Sequence, residues 1–358
     1  MSKRDDIRKI WQESFKDSRE YVKMYFDQVY RDEDALLLQN EEGLPVSSLL
    51  LQRYAMTFHG ALPTVSYIAG AATRRNQRGK GYMSRLMVDA LEASAARGDM
   101  LCSLIPANEA LYYFYRRYGF STVFYTKEQR FTALHPFPVH GEYHHLDDTI
   151  TDEVGEAFNR FQMERRCYII HSQRDFYNIL ADLQMDGGDF VVMARDDEDH
   201  GHEIVSMAWA RMNDDVLLVT DVMGESEDAR AAALRQLRGM HGDTPFLLYG
   251  RPTDTMGGRL MPRGMGRVVN AGKALEIIAG AYPHFAAKIK VTDKLLPAYN
   301  SHTYIVDGGT CMIDDGYRGR LDFDVTVDVF TDILFSSPVT GDILRFPSER
   351  PMISLMLD

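Results

Sequence analysis

The chain has 358 residues, 45% of them hydrophobic and 26% charged, with a formal net charge of -12. This length exceeds one hydrophobic core, so two or three domains are predicted, and the composition excludes a disordered, collagen-like or disulfide-scaffold chain. An acidic surface repels nucleic acid and anionic lipid and attracts cations, so a small amine is a fitting partner and a bound nucleotide requires a local basic patch.

In chain order, Ile7, Ile10, Trp11 and Phe15 recur at helical spacing, as do Tyr21, Met24, Tyr25 and Val29, predicting helices over 5–14 and 18–30. Strands are predicted over 34–40, 45–59 and 62–73, then an amphipathic helix over 82–97 with Leu86, Met87, Ala90, Leu91 and Ser94 on one side. A buried strand over 100–105, a short helix over 108–118 and a strand over 120–131 complete the first segment. Residues 133–150 carry two prolines and four histidines without helical period and read as a linker. Residues 151–250 repeat the same order: helices over 152–162 and 173–185, strands over 189–194, 203–210 and 216–222, a helix over 227–240 and a strand over 245–248. A degenerate duplication follows from this repetition. The Gly- and Pro-rich stretch 250–266 reads as a boundary. Helices over 271–281 and 328–335 and the apolar tail MISLMLD follow.

The three cysteines, Cys102, Cys167 and Cys311, lie far apart and form no CxxC pair, which removes zinc ribbons and dithiol redox motifs and predicts a reducing compartment. Cys102 sits in an apolar run and is expected in the core. The N-terminal MSKRDD lacks the apolar region of a signal peptide, and no apolar run approaches about 18 residues, so a cytoplasmic protein without a membrane span is expected. His140, His144 and His145 and the cluster His200, His202 and Glu203 have no third ligand at helical spacing, so no metal is expected. The acidic turn 196–199 lacks calcium-loop spacing and reads as a solvated charge run.

The stretch that carries chemistry is TRRNQRGKGYMSRLM, from Thr73 to Met87. A buried strand ends, two glycines follow among Arg74, Arg75, Arg78 and Lys80, and a helix begins at once. Glycines let backbone amides converge, and a helix N-terminus presents unsatisfied N–H groups and the positive end of its dipole, which together suit a pyrophosphate. A dinucleotide fingerprint fails because position 84 is Ser84, and no GxxxxGK[ST] loop is present. The plainer reading is a basic turn at the head of a surface helix. In the second segment the corresponding stretch, MGESEDARAAAL, has one glycine and three acids, so no nucleotide is expected there.

RGKGYMSRLM resembles the R/Q-x-x-G-x-G/A coenzyme A motif of the GNAT acetyltransferases: Arg78 and Gly81 match, and Met83 departs from the small residue expected last. Downstream, Asn108-Glu109 and YYFYRRYGF are similar to the family's fourth-helix signature, with Tyr115 four residues ahead of Gly119-Phe120. The whole chain resembles the enhanced intracellular survival (Eis) subgroup, on the bulky residue at Met83, the second segment without its phosphate loop, and MGRVVNAGKALEII, which is similar to the subgroup's sterol-carrier-like C-terminal domain.

The resemblance implies an α/β chain of mixed sheets: a catalytic GNAT domain over 1–132, a linker over 133–150, a degenerate GNAT-like domain over 151–262 and a sterol-carrier-like domain over 263–358. It implies acetyl-CoA as co-substrate and transfer of acetyl to a primary amine, a small cationic molecule or a lysine side chain. Backbone groups of Ala71 and Thr73 would pair with the pantetheine and the thioester oxygen. Gly79, Gly81 and Tyr82 amides with Arg78 and Lys80 would hold the pyrophosphate, and Asn108 the pantetheine arm, unless Asn108 is an ordinary helix cap. Tyr115 would be the general acid, since a tyrosine stays protonated at neutral pH, although it stands among other aromatics that suit a core. In the subgroup the C-terminal carboxylate reaches the first domain's active site, which implies Asp358 as base, through its side chain or its α-carboxyl. Asp186, Asp189 and Asp221 are expected, from charge alone, to line a cation pocket. The subgroup also points to a homo-oligomer. The alternative reading is a non-catalytic acyl-CoA sensor or lipid-binding carrier.

Overall fold

The computed structural model describes residues 2–146, 151–197, 201–254, 257–335 and 346–357. Its elements begin with α1 (Lys3–Ser14), α2 (Arg19–Met24) continued by a π-helical turn, β1 (Ala35–Gln39), β2 (Pro45–Met56), β3 (Thr64–Thr73), α3 (Tyr82–Ala96), β4 (Leu101–Leu104), α4 (Glu109–Arg116) and β5 (Ser121–Phe131). Next come β6 (His144–His145), α5 (Asp152–Met163), β7 (Ile169–Ile170), α6 (Gln173–Met185), β8 (Asp189–Asp197), β9 (Gly201–Asn213), β10 (Val216–Gly224), α7 (Glu227–His241) and β11 (Phe246–Gly250). The chain continues through β12 (Arg259–Val268), α8 (Ala271–Ala281), β13 (Ala287–Thr292), α9 (Pro297–Asn300), β14 (Thr303–Asp307), β15 (Thr310–Ile313), β16 (Phe323–Thr326) and α10 (Val327–Phe335). The architecture is mixed α/β, with two compact units: Met1–Phe124 with Pro262–Pro351, and Tyr125–Met261 with Met352–Leu357.

In the first unit, β1, β2 and β3 are antiparallel neighbours and β4 joins β3 in parallel. The apolar face of α3 (Leu86, Met87, Ala90, Leu91) packs with Leu49, Leu51, Ile68, Cys102 and Phe120 into one core. Cys102 is fully buried, and burial pushes its thiol up to about 12. The Gly- and Pro-rich stretch predicted as a boundary contains β12, which pairs antiparallel with β4. The division between the two units falls inside the same stretch, between Met261 and Pro262, and its glycines serve packing: a Cβ on Gly264 would stand 2.9 Å from the Leu104 carbonyl, and one on Gly266 2.9 Å from Val123. Arg267, in the same strand, is fully buried, grips Asp293 through two bonds of 2.7 and 2.8 Å, and donates to the Tyr118 carbonyl. Pro262–Pro351 are thus built into the same unit as the N-terminal segment. Its remaining strands form a four-stranded sheet, β15-β14-β13-β16, with α8 against β14 and β15.

In the second unit the order is β11-β10-β9-β8-β6, and the second half of β5 runs antiparallel to β11. Alternate residues face opposite sides, as the pleat dictates. Val191, Met193, Leu217 and Val219 pack with α7, whereas Val192, Met207, Trp209 and Met223 pack with α5 and α6. The described part of the stretch predicted as a linker, residues 133–146, is not helical and is built into this unit, with Phe137 only 3% exposed.

Candidate active site

β3 carries the first determinant. It matches β2 through Leu50↔Ala69 and Ser48↔Ala72, so Gly70 and Ala71 together oppose one residue and form a bulge. Gly70 takes φ +56, and a Cβ there would stand 2.0 Å from the Trp11 ring, so α1 can approach only over a glycine. On its other side β3 pairs with β4 over Val65–Tyr67 alone. From Ile68 to Thr73 the strand therefore runs on beyond its parallel neighbour, with Ala71 and Thr73 half-buried. Ser47 fixes this end from behind, bonding the Ala72 carbonyl at 3.0 Å and Thr73 Oγ1 at 2.8 Å.

The loop that follows is shaped by side chains folding back on it. Arg78 Nε donates to the Thr73 carbonyl at 3.1 Å, and Lys80 Nζ to Gln77 at 2.9 Å. Gly79 and Gly81 take φ +79 and +83, and among the described residues no atom beyond their chain neighbours lies within 4 Å of where a Cβ would stand on either. Gly81 is also the N-cap of α3 and offers no side-chain cap. The N–H groups of Tyr82, Met83 and Ser84 have no intrahelical acceptor and no other partner among the described residues. These residues fit a diphosphate: open space over two glycines, unpaired amides, and exposed Arg78 and Lys80. Arg74 is less available than the sequence suggests, because Glu13 pairs with its guanidinium at 3.2 Å; the same carboxylate accepts from the Arg75 backbone amide at 2.6 Å, and the Arg75 residue is exposed.

Tyr115 projects from α4 into the core, 7% exposed, with its ring against Phe114 and Phe120. Burial pushes its phenol up to about 12, so it holds its proton throughout the neutral range. It has no hydrogen-bond partner among the described residues. Asn108 caps α4, accepting from the Leu111 amide at 3.3 Å. That leaves its side-chain N–H groups for another acceptor. Asp358 and His200 lie outside the described residues.

The second unit repeats the strand geometry but not the chemistry of the helix start. β10 also bulges, with Thr220 extra between Val219 and Asp221, and pairs with β11 only over Leu217–Val219. Here Ser226 caps α7 by accepting from the Ala229 amide at 3.0 Å, and Asp228 accepts from the His140 and Gly141 amides at 2.9 and 2.8 Å. Those amides hold the Asp228 carboxyl below its usual range.

The three carboxylates expected to line a cation pocket are each engaged by the protein's own basic side chains. Asp186 pairs with Arg211 and Asp189 with His241, both at 2.7 Å. Asp221, 1% exposed, is clasped by Arg165 through bonds of 2.8 and 2.7 Å. Their spacing in sequence gave no sign of these partners. Asp221 also accepts from Ser354 at 2.5 Å, while His171 Nε2 meets the Ser354 carbonyl at 2.9 Å. The Met352 amide donates to Cys167, so the tail is fastened within this unit by strand-like bonds and a buried ion pair. Among the described residues no group of three or more His, Cys, Asp or Glu side chains is placed to hold a metal, and no helix is long and apolar enough to cross a membrane.

Comparison with known proteins agrees with this geometry. Residues 1–123 match the family model described as an acetyltransferase (GNAT) domain. No curated protein sequence matches the chain. Among solved structures, a GCN5-related N-acetyltransferase from Anabaena variabilis superposes with a TM-score of 0.78 at 15% identity, covering 98% of this chain and 96% of that one. A probable N-acyltransferase from Enterococcus faecalis gives 0.74 at 16% identity, over 98% and 95% of the two chains. Eis1 from Mycobacterium abscessus gives 0.73 at 15% identity, over 98% and 96%. The N-terminal third of this chain is therefore an acetyltransferase (GNAT) domain, set in a mixed α/β chain that shares its fold with these structures.

Proposed function

We propose that the chain transfers an acetyl group from acetyl-CoA to a primary amine, on a small cationic molecule or a lysine side chain. The observation that supports this most is the start of α3, where three unpaired amides and two open glycines adjoin the unaccompanied end of β3. Gly79, Gly81 and Tyr82 amides, with Arg78 and Lys80, hold the diphosphate of the coenzyme, since backbone N–H groups and a helix dipole favour an anion. Backbone groups of Ala71 and Thr73 orient the pantetheine and the thioester oxygen, and Asn108 bonds the pantetheine arm. Acetyl-CoA supplies an activated thioester: the amine nitrogen bonds the acetyl carbon as the carbon–sulfur bond breaks. The Asp358 carboxylate takes the proton from the amine, and Tyr115 returns one to the departing thiolate.

The same reading divides the chain into a catalytic domain over 1–132, a connector over 133–150, a degenerate GNAT-like domain over 151–262 and a sterol-carrier-like domain over 263–358. It makes the protein a cytoplasmic homo-oligomer of the Eis type. The test is incubation with acetyl-CoA and a panel of primary amines, reading free thiol and acetylated product. Turnover of at least one amine, abolished in Gly81→Val, is expected. Tight coenzyme binding with no turnover on any amine would favour an acyl-CoA sensor instead.

A further inference from the structure

The second unit contains a cavity of about 430 Å³ where β10 and β11 part, within the size range of small-molecule sites. Its walls are mostly apolar: Phe131, Phe137, Val222, Leu234 and Leu248. The wall from the 133–146 segment is firmly set. Phe137 adopts φ +46, costly for a bulky residue, and its ring packs at a tilt against Phe131 and Phe246, with centroids 4.9 and 5.3 Å away.

One cation also lines this space. Arg230 has a side chain only 16% exposed, yet its contacts are weak: the Gly224 carbonyl at 3.5 Å and Glu227 at 3.9 Å. Burial, the largest influence on it, disfavours its charged form. The neighbouring carboxylates do not compensate. Asp228 is spent on the His140 and Gly141 amides, and Asp254 bonds Arg251 through both its amide and Nε. Glu227 is 78% exposed. A guanidinium this poorly matched gains from a planar anion, which it binds through two parallel bonds. A diphosphate would meet more repulsion from Glu227, Asp228 and Asp254 than a single carboxylate does, and an ammonium seated at Arg230 would be repelled by it.

We propose that this cavity binds a small molecule with an apolar body and a single carboxylate, its head on Arg230 and its body between Phe131, Phe137 and Leu248. The site is separate from the acyl-donor site and does not depend on the acetyltransferase reading.

The test is calorimetric titration of the full chain with octanoate, octanol and octylamine, with and without saturating coenzyme A. Octanoate should bind saturably, one per chain, unaffected by the coenzyme. Octanol should bind at least about tenfold more weakly, as loss of a charge-assisted bond implies, and octylamine not at all. Arg230→Leu should remove the preference for octanoate over octanol, and Ala231→Phe, which fills the cavity, should abolish binding of both. Unchanged thermal midpoints and an unaltered coenzyme affinity would show that both variants fold. Equal affinity for all three probes, competition by coenzyme A, or octanoate binding indifferent to both substitutions would overturn the proposal.

Discussion

The two units present the same strand device with opposite helix starts. β3 and β10 both bulge near their C-terminal ends and both outrun their parallel neighbours. After β3 the chain turns on Gly79 and Gly81 and leaves the first amides of α3 unpaired. After β10 a serine caps α7, and its acidic first turn draws in the protein's own amides. A split strand pair is thus a slot, and the residues at the following helix start decide which charge it takes. In the second unit that charge is Asp228; in the first, under the proposed function, it is an anion from outside the chain.

Breaking the comparison at its chemical centre should have the largest effect. Tyr115→Phe keeps the ring in its core position and removes only the hydroxyl that carries the proton, so kcat should fall about 10²- to 10⁴-fold with the KM for acetyl-CoA little changed. Steady-state kinetics with saturating amine check this. Because burial keeps Tyr115 protonated to about pH 12, the alkaline limb of the wild-type profile should not report its loss below that value.

Arg165→Leu strikes the second unit alone. It leaves Asp221 buried without its cation, and should cost about 3–5 kcal/mol, read as a lowered denaturation midpoint. The double variant Arg165→Leu with Asp221→Leu should recover most of that loss.

A smaller effect separates conformation from contact at the first slot. Gly79→Ala adds a methyl that meets nothing, so its cost is the left-handed backbone, about 1–2 kcal/mol. Coenzyme affinity should fall correspondingly, about five- to thirtyfold by titration, and Gly242→Ala, a left-handed glycine of the second unit, should leave it unchanged.

The smallest concerns pH. Burial lowers the pKa of His171, which meets the Ser354 carbonyl within the tail clasp. A depressed histidine stabilises the fold above its unfolded value and loses that contribution as pH falls through the folded one. The second unit should therefore weaken below the ordinary histidine range and not above it. Protease susceptibility of the 352–357 tail across acidic pH would show this, and His171→Gln should flatten the dependence.

Most elements of the first unit were legible because periodicity, capping residues and a buried strand agreed along Ile7–Phe131. The same clarity extended to the basic loop, where glycines and cations stand next to a helix start. The β3 bulge was marked by Gly70, a glycine inside a strand pattern, but its partner Trp11 lies far off in sequence and left no local sign. Strand β12 was hidden because glycines chosen for close packing look like loop residues. The fates of Asp186, Asp189 and Asp221 were equally illegible, since each carboxylate's partner is set by tertiary pairing rather than by spacing.

The central claim is that a coenzyme diphosphate is held by the amides at the start of α3 and at no equivalent place in the second unit. Amide chemical shifts recorded while coenzyme A is titrated into the labelled chain test it directly. The account predicts saturable changes at Gly79, Gly81, Tyr82 and Met83 with Ser226 to Ala229 unmoved; silence at the first group, or a response centred on α7, would contradict it.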